Sequence, residues 1–248
     1  MNERPEKEGI DLTVVDPAAE SQDAEAPADK PVSTFRLVAT LAVAGALAGL
    51  LIVLVNLHTK PIIDEYRAEQ LKLAVYEVLP GVSNYRTLYR VDGNLVGEVP
   101  AGSKASDFRQ AYIGYDENGE IIGAAVSRGE SGFADIVLVI FGFEPDTGIL
   151  LGKKVLESKE TPGLGDKIFK DQDFVQQFFD RPQTPLTAIK AGTGKGLPGE
   201  IDAITGATIS SKVVVSIINN GVAEWRPMLQ QVDLEPLEQG QTMPEEAP

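Results

Sequence analysis

The sequence predicts an α+β fold: one N-terminal transmembrane helix, a stalk helix, and a domain with an antiparallel sheet and flanking helices. Three observations predict it. Residues 37–55 run without a charge. Two hairpin patterns follow one another between positions 110 and 156. A long amphipathic run then starts at Thr208. Strands grouped ahead of helices point to α+β rather than to alternating β-α units.

Residues 1–34 are acidic and rich in Ala, Pro and Glu, the composition of a disordered tail. The stretch 37–55, LVATLAVAGALAGLLIVLV, would span roughly 28 Å as a helix, about the thickness of a bilayer's hydrocarbon core. It is apolar on every face, unlike a core helix, and longer than the apolar part of a cleaved signal peptide. It reads as an uncleaved anchor in a lipid bilayer. Gly45 and Gly49 within it permit close helix contact. Lys30 and Arg36 precede it and Lys60, Arg67 and Lys72 follow, so charge alone leaves its orientation open.

Residues 61–79 have helical spacing of Ile62, Leu71, Val75, Val78 and Leu79, stopped by Pro80-Gly81. The segments 111–115 and 121–126 flank Asp116-Glu117-Asn118-Gly119 as a hairpin. The segments 136–143 and 149–156 do the same around Asp146-Thr147-Gly148. A short helix is expected at 173–179, with Phe174, Phe178 and Phe179 inward, and a strand at 186–189. The run from Thr208 carries Val214, Ile217, Ile218 and Val222 on one face and ends near Trp225. The expected organisation is a tail at 1–34, the transmembrane helix at 35–58, a stalk helix and linker at 59–105, the sheet domain at 106–230, and a loose acidic tail at 231–248.

Composition excludes several chemistries. The formal charge is −15, and no basic patch interleaves with aromatics, so nucleic acid is not an expected partner. The absence of cysteine removes disulfides, thiolate metal sites and cysteine nucleophiles. The one histidine, His58, beside the apolar stretch, is poorly placed for a metal centre or a Ser-His-Asp triad. Ala191-Gly192-Thr193-Gly194-Lys195-Gly196 hints at a phosphate-binding P-loop, but Ile189 stands where its first glycine belongs and Gly196 where Ser or Thr would follow the lysine.

Three stretches remain as candidates for chemistry. Asp202-Ala203-Ile204-Thr205-Gly206-Ala207-Thr208-Ile209-Ser210-Ser211 places hydroxyls around a helix start. Open N–H groups and the helix dipole make such a start an anion site. The same hydroxyls would also serve as ordinary caps. Glu160-Thr161-Pro162-Gly163-Leu164-Gly165-Asp166-Lys167 is a loop whose glycines permit close approach to a planar ligand, or simply a strand-to-helix connection. Gly129-Glu130-Ser131-Gly132-Phe133 is a glycine and aromatic turn ahead of a strand.

Asp202, Thr205, Gly206, Ala207 and Thr208 resemble the flavinylation motif of FMN-binding domains, which carry the flavin as a phosphoester on the last threonine. The Glu-Thr-Pro-Gly-Leu-Gly loop resembles a hallmark of the same domains. Within them, positions 35–225 look like the G subunits of Rnf-type electron-transport complexes, relatives of the C subunits of sodium-translocating NADH:quinone reductases. The resemblance implies FMN bound covalently at Thr208. It implies further contacts from Thr205, Gly206, Ala207, Ser210, Asp202, Glu160, Thr161, Gly163, Leu164, Gly165, Ser131 and Gly132.

It also implies an extracytoplasmic domain on the inner membrane, maturation by a flavin transferase, and electron relay among other subunits of the complex. That complex couples ferredoxin and NAD to ion movement. No catalytic site of the chain's own is expected. Ser158 stands where such domains often have histidine. A stand-alone flavinylated carrier, a quinone-reductase-type subunit and a non-redox anchored scaffold are the alternatives.

Overall fold

The computed structural model describes residues 33–181, 185–232 and Leu234. The tails expected at 1–34 and 231–248 therefore lie almost wholly outside the described residues. Two compact units are separated at the Leu57–His58 bond.

The first helix, α1, runs through Thr34–Val78 as one element of 45 residues. Its described residues up to Leu57 have exposed apolar side chains, and the helix is long and apolar enough to cross a membrane. Where the sequence predicts an apolar helix followed by a stalk helix, one helix runs through both stretches, with Pro61 inside it.

In the second unit, six strands form an antiparallel sheet in the order β2-β1-β3-β4-β5-β6. They are β1 (Asn84–Val91), β2 (Asn94–Val96), β3 (Arg109–Tyr115), β4 (Ile121–Ser131), β5 (Ile136–Phe143) and β6 (Leu150–Glu157). Both expected hairpins are present. The β1–β2 hairpin lies in the stretch read as stalk and linker. Arg86 and Arg90 interrupt its apolar pattern, yet Asp92-Gly93, both at positive φ (49° and 87°), is a hairpin turn. After the sheet come α2 (Lys167–Lys170), α3 (Gln172–Gln176), a parallel pair β7 (Thr187–Lys190) and β8 (Glu200–Ala203), and α4 (Thr208–Leu229).

Both faces of the sheet are covered, which is why β5 reads as a continuous apolar run rather than an alternating one. One face packs Tyr112, Ala125, Ile140 and Leu151 under Ala74, Val75, Val78 and Leu79, at the end of α1. A Cβ on Gly142 would collide with the Val78 carbonyl, so the close approach of that turn requires glycine. The other face packs Ile113, Val126, Val139 and Phe141 under Val214, Ile217, Ile218 and Trp225 of α4. A bulge between β5 and β6 leaves Phe143 opposite Leu150 and Gly142 opposite Gly152, with Leu151 as the extra residue.

Candidate flavin site

The loop after β6 is built around Glu160, which is 6% exposed. Its Oε1 accepts from the Phe133 N–H at 2.8 Å and the Ala134 N–H at 3.0 Å. Its Oε2 accepts from the Ser210 hydroxyl at 2.6 Å. One carboxylate thus joins the turn after β4, the loop and the first turn of α4. Burial pushes the Glu160 carboxyl up, but the Ser210 hydroxyl and the backbone N–H groups outweigh it and hold the carboxyl below the usual range. Gly132 and Gly165 lie flat against this carboxylate: a Cβ on Gly165 would sit 2.5 Å from Oε2, and one on Gly132 would collide with Oε1. Ser158 Oγ accepts from the Glu160 N–H at 3.3 Å, a local contact at the position where the resemblance leads one to look for histidine.

The loop closes on Asp166, the N-cap of α2. Asp166 Oδ1 accepts from the Gly163 N–H at 2.7 Å and Oδ2 pairs with Lys170 at 2.6 Å. The Lys170 ammonium holds the Asp166 carboxyl below its usual range against the opposing effect of burial. Gly163, at φ +78°, supplies the left-handed residue this turn needs.

The α4 start is organised by its serines rather than its threonines. Ser211 Oγ accepts from the Ile204 N–H at 3.0 Å and donates to the Ala207 carbonyl at 2.9 Å, closing the turn in which Gly206 has φ +84°. The N-cap is Ala207, with no side-chain cap. The Thr208 hydroxyl is therefore not used as a cap, and it makes no hydrogen bond among the described residues. The first helical N–H to find a carbonyl is that of Ser211, on Ala207. The N–H groups of Thr208, Ile209 and Ser210 are the orphan donors of the helix start.

These three segments enclose a cavity of about 320 Å³. Phe133 comes from the β4–β5 turn, Glu160, Thr161, Leu164 and Gly165 from the loop, and Gly206 to Ser210 from the helix start. Its walls are largely apolar. Phe133, Leu164 and Ile209 remain 68%, 49% and 54% exposed around it. Of the residues expected from the sequence, Thr208, Gly206, Ala207, Ser210, Glu160, Thr161, Leu164 and Gly165 meet here.

Ser131, Gly132, Gly163, Thr205 and Asp202 do not line the cavity. Gly132 backs Glu160 and Ser131 ends β4. Thr205 is exposed beside Gly206. Asp202 lies on β8, where its Oδ1 accepts from the Gly192 N–H at 3.1 Å and so braces the Ala191–Gly196 turn. Ile209 was not among the expected contacts. Its signal was an apolar residue in the first turn off the buried stripe of α4. Among the described residues, no group of three or more His, Asp or Glu is placed to hold a metal ion.

The FMN-binding domain family matches residues 132–223, a span that includes all three segments. The G subunit of the Na(+)-translocating ferredoxin:NAD(+) oxidoreductase complex of Acetobacterium woodii is 33% identical over 192 residues, covering 76% of this chain and 89% of that one. The G subunit of an ion-translocating oxidoreductase complex of Methanosarcina acetivorans is 30% identical over 191 residues, covering 75% and 92%. The fold is like that of the crystal structure of Shewanella oneidensis NqrC, with a TM-score of 0.56 at 15% identity over 67% of this chain and 98% of that one. The chain belongs to the family of G subunits of ion-translocating oxidoreductase complexes.

Proposed function

We propose that the chain is a membrane-anchored electron-transfer subunit of an Rnf-type complex, carrying FMN in the Phe133–Glu160–Thr208 cavity with its phosphate esterified to Thr208. The observation that carries the reading is the Thr208 hydroxyl. It stands at the cavity edge, exposed and uncommitted, beside three orphan N–H groups of a 22-residue helix. A phosphate there meets the positive end of the helix dipole. Leu164 and Phe133 offer apolar surface for a planar ring, and glycine at 165 keeps the wall low. When bound, the flavin supplies one- and two-electron redox chemistry. The chain's own part is to hold the phosphate, shape the ring's surroundings and place a buried carboxylate, Glu160, in the cavity wall.

The family and the apolar stretch of α1 support membrane anchoring. In the proposed arrangement the domain from residue 106 onward faces the extracytoplasmic side, where covalent attachment prevents loss of the cofactor. A separate flavin transferase makes the ester, and neighbouring subunits of the ion-translocating complex exchange electrons with the flavin.

The test is denaturing gel electrophoresis under ultraviolet light, with intact mass, on full-length protein co-expressed with a flavin transferase. The proposal expects a fluorescent band one FMN heavier than the bare chain. A dark band at bare mass, beside a control protein that the same transferase labels, would overturn it.

A further inference from the structure

A charged side chain lies in the core beneath α2 and α3. Lys153 of β6 is 1% exposed. The bulge at Leu151 sends it inward: Lys153 faces the α4 side opposite Phe141, as Leu150 does opposite Phe143. Lys154 turns to the other face and pairs with Glu77 at 2.6 Å. Lys153 Nζ donates to the Ile168 carbonyl at 2.7 Å and stands 5.2 and 5.1 Å from the ring centres of Phe174 and Phe178. A methionine would fill similar space without desolvating a charge. The ammonium therefore supplies something the core itself does not need.

We infer that Lys153 is a positioning residue for the flavin loop: its bond to Ile168, in the cradle of Phe174 and Phe178, fixes α2 on the sheet and thereby holds Gly163–Asp166 against the cavity. The inference rests on the reading of that cavity as a flavin site. The connection is continuous. The Ile168 N–H donates to the Gly165 carbonyl at 3.3 Å, and Gly165 lines the cavity. Glu160 fastens the start of the loop and Lys153 its end.

The hold responds to pH. Burial pushes the Lys153 ammonium down to about 7, with the Glu77 carboxylate opposing. Of the other charged groups nearby, Asp166 and Lys170 pair with each other, and Asp171 caps α3 through the Phe174 N–H. From α3 and its end Lys153 meets the two rings, and from β5 it meets Phe141. The neutral amine still donates to Ile168 and no longer carries the cost of a buried charge, so lifting α2, which rehydrates Lys153, becomes harder as pH rises through 7.

Hydrogen exchange on the detergent-solubilised full chain tests this, at pH 6 and pH 8 with correction for the intrinsic rate. In the wild type, protection of the amides from 163 to 169 should rise, by up to about tenfold, between the two, because an opening that rehydrates Lys153 takes up a proton. Lys153→Met, without a donor for the Ile168 carbonyl, should be less protected than wild type at pH 8, and neither it nor Lys153→Arg, which stays charged, should show the rise. Equal protection in wild type and Lys153→Met at pH 8 overturns the inference. Should Lys153→Met fail to fold, a flat wild-type profile matching Lys153→Arg overturns it. In flavinylated protein, flavin fluorescence should follow the same pH profile and be flat in Lys153→Arg; a profile unmoved by either substitution also counts against it. A dark wild-type band on the ultraviolet gel, with the exchange pattern intact, overturns the flavin reading and leaves Lys153's grip on the loop standing.

Discussion

Thr208 carries a hydroxyl that makes no hydrogen bond among the described residues. Replacing it with valine removes one oxygen from an exposed position at the start of α4, where the N-cap is already Ala207. Thr208→Val should fold with stability within about 0.5 kcal/mol of wild type, as surface substitutions do. It should show no fluorescent band on the ultraviolet gel. Retained covalent flavin in that variant would move the ester to another hydroxyl. The motif around Thr208 was legible because its residues are contiguous. The role of Ser210 was not, since its partner Glu160 lies 50 positions away. Lys153 was also illegible: a lysine pair in a strand reads as one in and one out, and only the bulge decides which.

At the scale of elements, α4 is fastened to the sheet by charge as well as by its apolar stripe. Arg90 on β1 stands opposite Arg109 on β3, a like-charge pairing that would repel on its own. Glu224 of α4 answers it, taking hydrogen bonds from Arg90, Arg109 and Arg128, the last at 2.7 Å. Burial pushes the Glu224 carboxyl up, but Arg109 and Arg90 hold it below the usual range. A carboxyl depressed in the folded state stabilises the fold above the unfolded value and loses that contribution as pH falls through the folded one.

Glu224→Gln should cost about 1–2 kcal/mol at neutral pH, given the partial exposure of the cluster. It should also flatten the acid limb of stability, read from urea midpoints followed by the fluorescence of Trp225, the chain's one tryptophan. The strands β3 to β6 and the helix α4 were legible from their periodicity and turns. The hairpin of β1 and β2 was hidden by Arg86 and Arg90, and Arg90, which reads as solvent-facing, is there to be paired with Glu224.

For the whole molecule, Lys153 sets a pH dependence of stability whose sign is unusual. Its folded-state value of about 7 lies below the ordinary lysine value of 10.5. Below pH 7 both states hold the proton and the penalty of burying the charge is fully present. Between pH 7 and 10.5 the unfolded chain keeps a proton that the folded chain has given up, so stability rises, by up to about 1.4 kcal/mol per pH unit. Urea titrations at pH 7.5 and 9.5 should show this rise in wild type and a smaller one, or none, in Lys153→Met. An identical rise in both would place its origin elsewhere.

The meeting of Phe133, Glu160 and Ser210 also has a consequence in time. A chain made from its N-terminus presents the turn first, the carboxylate 27 residues later and the serine 50 residues after that. The cavity cannot exist until the last of them has emerged and docked. Were FMN attached at Thr208 as proposed, and only once the cavity had formed, the fluorescent fraction of a preparation would count the molecules in which these three segments had docked.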